Sequence, residues 1–120
     1  MGRTVHYRTS YQFTEDELVT LREIVKQAQA EDWCCENFKL WPCEADGSAA
    51  FNIVEFKKSR GVWGFTKTRT CEEDVSKVFK YLRKIEDTIP GVEWDVHDEG
   101  GRLYKGPGKL TKFAKGRFRK

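Results

Sequence analysis

The sequence predicts an α+β domain: an antiparallel sheet of about five strands with two helices packed on one face, a ferredoxin-like variant in the order β-α-β-β-β-α-β. Three observations predict it. Residues 5–13 and 61–68 alternate apolar and polar with the period of a strand. Two stretches opening on Thr-x-x-Glu each carry one apolar stripe with the period of a helix. The remaining strand-like segments are separated by short turn sequences, which pair neighbouring strands antiparallel.

Val5, Tyr7, Thr9, Tyr11 and Phe13 alternate with His6, Arg8, Ser10 and Gln12, as in a half-buried strand. Thr14-Glu15-Asp16-Glu17 then forms a capping box. The Thr14 hydroxyl can accept from the Glu17 amide and the Glu17 carboxylate from the Thr14 amide, and the acids of this first turn complement the helix dipole. Phe13 and Leu18 supply a hydrophobic staple, and Leu18, Leu21, Ile24, Val25 and Ala28 make the stripe of a helix ending near Glu31. Phe38, Leu40 and Trp41 predict a short strand that Pro42 confines to an edge. Residues 44–48 are turn chemistry, 50–57 are β-prone, and Lys58-Ser59-Arg60-Gly61 makes a hairpin into the strand 61–68.

The strand 61–68 and the helix after it organise the chain. Trp63, Phe65 and Lys67 point one way, and Val62, Gly64, Thr66 and Thr68 the other. Thr70-x-x-Glu73 is a second capping box, and Val75, Val78, Phe79, Leu82 and Ile85 form the second helical stripe. Ile89-Pro90-Gly91 stops the helix. Val92, Trp94 and Val96 make the final strand, and Asp98-Glu99-Gly100-Gly101 ends it. Residues 1–101 are therefore expected to form one domain, and 102–120 a basic C-terminal tail.

A chain of 120 residues with 38% apolar and 13% aromatic residues can build one core, which excludes bulk disorder. No apolar run approaches the ~20 residues of a membrane span. The first residues carry no apolar leader, so a cytoplasmic setting and no membrane partner are expected. The net charge of +3 hides a split: eight of the 22 basic residues lie between Arg102 and Lys120 with no acid among them, leaving 14 basic against 19 acidic, or −5, in residues 1–101. A mildly acidic body with a strongly basic end points to a polyanion contact or to an intramolecular electrostatic clasp.

Cys34, Cys35, Cys43 and Cys71 lack the paired ligand spacing of structural zinc sites, even with His6 or His97 added, so no metal and no cofactor are expected and the thiols are read as reduced. Cys71 follows Thr70 at a helix start, where a thiolate is favoured, but Glu72, Glu73 and Asp74 oppose one. A cysteine nucleophile would need His97 brought to it in space. No phosphate loop, dinucleotide fingerprint or serine-nucleophile elbow is present, and the chain is read as not an enzyme.

Flat rings beside cations suit single-stranded nucleic acid, by stacking and phosphate attraction. Trp63, Phe65 and Lys67 project together as such a face, or else the two rings belong to the core. Lys105, Lys109, Lys112, Lys115, Arg117, Arg119 and Lys120 can track phosphates, or else form a solvated tail. The expected function is a small binding protein that contacts RNA or DNA. The alternative is a viral accessory protein that inhibits a host protein, with the aromatics as anchors, or that sequesters a nucleotide signal.

Two resemblances accompany this reading. Arg60-Gly61-Val62-Trp63-Gly64-Phe65 resembles the central strand motif of RNA-recognition (RRM) domains, with Val62 inserted, Thr68 at the last aromatic position and no companion motif in the first strand. Gly64-Phe65-Thr66-Lys67-Thr68, then Asp74-Val75, one amphipathic helix and Asp98-Glu99-Gly100, is similar to a pattern in small tailed-bacteriophage proteins of unknown function, over residues 47–100 or so. Cys71-Glu72-Glu73 replaces their usual Lys-Pro-Tyr, and Glu99 interrupts their closing Asp-Gly. That resemblance implies a small viral protein working in the host cytoplasm and supplies no catalytic residues.

Overall fold

The computed structural model describes residues 3–43, 56–57 and 59–105. Its elements are β1 (Thr4–Thr9), α1 (Glu15–Gln29), β2 (Trp41–Pro42), β3 (Val62–Lys67), α2 (Glu72–Thr88), β4 (Asp95–Asp98) and β5 (Gly101–Lys105). The five strands form one antiparallel sheet in the order β2-β3-β1-β4-β5. Each helix joins two strands that have a third between them: α1 links β1 to β2 across β3, and α2 links β3 to β4 across β1. The α+β class with two helices is thus as the periodicities predict.

Both helices cover the same face. Leu18, Leu21, Ile24, Val25 and Ala28 of α1 and Val75, Val78, Tyr81, Leu82 and Ile85 of α2 join Val5, Tyr7, Val62 and Val96 of the sheet in one buried cluster. At ~25 cal/mol per Å² of apolar surface buried, this cluster is the main source of stability. Alternation leaves His6 and Arg8 of β1, and Trp63, Phe65 and Lys67 of β3, on the opposite face.

The Thr14 capping box forms as read: the Glu17 amide donates to Thr14 Oγ1 at 3.2 Å and the Thr14 amide to Glu17 Oε1 at 2.9 Å. Thr14→Ala is expected to lower unfolding free energy by about 1 kcal/mol. Urea unfolding should show a lower midpoint with an unchanged slope.

The second cap is a correction. Cys71, not Thr70, is the N-cap of α2, and no side chain caps it. Arg69 adopts φ 51°, and the Cys71 amide donates to the Thr68 carbonyl at 2.8 Å. This left-handed turn delays entry into the helix, so Glu73 falls at the wrong position for a box with Thr70.

Strand limits shift for similar reasons. β1 ends at Thr9, and Phe13 turns into the core beside α1. The edge strand is Trp41–Pro42, and Phe38 and Leu40 before it are buried without being strand residues. The final predicted strand starts at Asp95, with Val92 and Trp94 buried ahead of it. The strand predicted for 50–57 lies outside the described residues except for Phe56 and Lys57, which are helical.

The boundary at 101–102 also moves. Gly101–Lys105 is a strand paired to β4, where the charge pattern starts a tail. Gly101 at φ 131° and the Gly100 amide on Asp98 Oδ1 at 2.7 Å make Asp98-Glu99-Gly100-Gly101 a hairpin turn rather than a terminus. Leu103 and Tyr104 are both fully buried, a consecutive pair that the bulge at Val96/His97 accommodates.

Candidate nucleic-acid interface

The open face is built by cross-strand register. Trp41 lies opposite Trp63, Trp63 opposite Arg8, and Arg8 opposite Asp95, which gives one row across four strands. Phe65 lies opposite His6, and His6 opposite His97, which lies opposite Arg102 in the next row. Residues directly opposite in an antiparallel pair share a face, so one row is aromatic-cationic-acidic and its neighbour aromatic-imidazole-cationic.

Trp63 and Phe65 are half-buried and are not members of the helix-covered core. Their ring centroids lie 6.0 Å apart at 23°, and Trp41 backs both at 4.9 and 5.5 Å. Trp63 Nε1 donates to the Pro42 carbonyl at 3.1 Å, which fixes the indole in its plane. Lys39 Nζ sits 4.6 Å from the Phe65 centroid, within cation–π range. The result is a rigid aromatic ledge with cations at its margin.

Beside the ledge is a concavity of about 550 Å³ lined by His6, Arg8, Cys43, Trp63, Asp95 and His97. Asp95 holds one end, accepting from Arg102 Nε at 3.0 Å and lying 2.9 Å from His97 Nε2. At the other margin Glu36 pairs with Lys39 at 2.7 Å and Lys67 at 3.9 Å. The Lys39 hydrogen bond, with Lys67 behind it, holds the Glu36 carboxyl below the usual carboxylate range. Arg8, in the middle of the face, pairs with no carboxylate among the described residues. A guanidinium left open between a tryptophan and two imidazoles can take a phosphate bidentately.

Of the residues singled out by sequence, Trp63, Phe65 and Lys67 are brought together as expected. Lys105 ends β5, its backbone in register with Asp95. Lys109, Lys112, Lys115, Arg117, Arg119 and Lys120 lie outside the described residues. Cys71 and His97 are not joined: Cys71 meets Cys34 at the start of α2, and His97 meets Asp95 on the open face. Sequence reasoning missed Trp41, His6 and Arg8 as part of the face. The alternation in residues 5–9 already placed His6 and Arg8 on the polar side of β1, but only the register sets them beside Trp63 and Phe65.

Compared with family models, curated proteins and solved structures, the chain matches none.

Proposed function

We propose that this protein binds single-stranded nucleic acid on the open face of its sheet, without chemical turnover. Bases stack on Trp63 and Phe65, Arg8 and Lys67 take phosphates, and the basic residues from Lys105 to Lys120 add sequence-independent attraction. The observation that carries this reading is the placement of a half-exposed aromatic pair next to an arginine with no carboxylate partner among the described residues. The carboxylates that pair with the flanking cations Lys39, Lys67 and Arg102 are themselves partly exposed. Such pairs are worth at most ~1 kcal/mol, so an incoming phosphate exchanges with them readily.

The test is an anisotropy titration of labelled single-stranded oligonucleotides at several salt concentrations. Log K is expected to fall linearly with log salt, by about 0.7 per phosphate engaged, with duplex of the same length bound more weakly. Saturable binding that ignores salt, or none, removes the proposal. Arg8→Gln should reduce the slope by about that one-phosphate increment while leaving the fold unchanged, because Arg8 projects from the open face.

A further inference from the structure

A second constellation lies away from the open face, where the loop after α1 meets the start of α2. Cys71, the N-cap of α2, has its Sγ 2.9 Å from Cys34 Sγ. Asp74, one turn into the same helix, is fully buried. Its carboxylate accepts the Cys34 amide at 3.0 and 3.1 Å and the Cys35 amide at 3.3 Å. Both sulfurs and a carboxylate oxygen of Asp74 lie within 4.8 Å of one another. No lysine or arginine pairs with Asp74 among the described residues.

From this geometry we propose that Cys34, Cys71 and Asp74 form a binding site for zinc or a similar borderline-soft divalent cation, with an open fourth position. The donor set decides the metal class. Two thiolates favour zinc over magnesium or calcium, which take oxygen ligands, and a carboxylate is an accepted third zinc ligand. Tetrahedral Zn–S bonds of ~2.3 Å hold two sulfurs ~3.8 Å apart. The Sγ pair therefore has to open by roughly an ångström, a small rotation for the exposed Cys34 side chain.

The surroundings are prepared for a cation in two further respects. The amides of Cys34 and Cys35 fix the Asp74 carboxylate, the kind of outer support that orients metal ligands. The buried Asp74 carboxylate also lies beside both sulfurs with no cationic side chain paired to it among the described residues, so a bound cation would supply the missing counter-charge. Each bound cation would displace the two thiol protons to solvent, and its charge would offset those of the thiolates and Asp74. The spacing argument misses this site because its ligands come from segments 37 residues apart that only the fold unites.

The experiment uses the full chain, reduced and stripped of metal, titrated with zinc against a chromophoric chelator and with cobalt(II) as a spectroscopic probe. One equivalent per chain is expected, with a thiolate-to-cobalt charge-transfer band. Cys34→Ser and Asp74→Asn should each weaken zinc by about ten-fold or more, as loss of a ligand or its support does. Cys43→Ser, on the far side of the sheet, should not. Cys34 is exposed, so its serine variant is expected to fold; zinc should raise the melting temperature of the parent chain and not of this variant. Absence of saturable zinc binding by the reduced chain, zinc binding that survives Cys34→Ser, or a Cys34–Cys71 disulfide forming in preference to zinc uptake would each overturn the assignment.

Discussion

Gly64→Ala is expected to destabilise the protein by about 3 kcal/mol or more, a large share of the ~5–15 kcal/mol that a domain this size commands. A Cβ at Gly64 would lie 2.1 Å from the Lys39 carbonyl oxygen and 2.5 Å from Tyr7 Cε1. Neither neighbour can yield. The Lys39 carbonyl accepts the Tyr7 hydroxyl at 2.9 Å, and the Lys39 amide donates back to it at 3.2 Å. The same hydroxyl lies 2.9 Å from Thr66 Oγ1, and the Tyr7 ring stacks on Phe38 at 5.1 Å. Relief requires the segment 38–41 to lift off the sheet, which breaks these bonds and uncovers Phe38 and Leu40. Trp41 would move with it, so the ledge under Trp63 and Phe65 would be lost as well. Thermal unfolding should report a midpoint lower by about 10 °C or more. A variant melting with the parent chain would show that the segment is not seated on Gly64.

The second large effect is on binding. Trp63→Ala and Phe65→Ala should each weaken single-stranded nucleic acid by about 1–3 kcal/mol, the worth of one stacked base. Together they should cost more than either alone, at least ~10-fold in affinity, but less than the sum of the two because the rings touch. The salt slope should stay near that of the parent chain, since no phosphate contact is removed. This separates stacking from attraction: the arginine variant lowers the slope, and the aromatic variants lower the intercept. Stability should change little, because both rings lie outside the helix-covered core. Anisotropy at matched salt, with far-ultraviolet circular dichroism as the control for folding, checks both statements. Undiminished affinity in the double variant would place binding elsewhere on the chain.

Local chemistry was legible wherever it depends on neighbours in sequence. The Thr14 box, both apolar stripes and the alternation through Trp63, Phe65 and Lys67 follow from periods of 3.6 and 2, which a linear reading sees directly. The Thr70 box failed because one residue, Arg69, takes a left-handed turn that nothing in its identity announces. β5 was hidden by its own composition: Leu103 and Tyr104 stand among cations, and a charge count outweighed two apolar residues whose burial depends on pairing with β4.

By itself, then, the sequence determined the class of fold, the helices and the polar face of each long strand, because those are set by dihedral preference and side-chain alternation within a few residues. Only the tertiary structure decided which faces share a side and which segments touch. Arg8 reached Trp63 by strand register, and Cys34 reached Cys71 by the packing of a loop on a helix start. Such long-range contacts arise from burying one shared core, and that is a property of the whole chain rather than of any stretch within it.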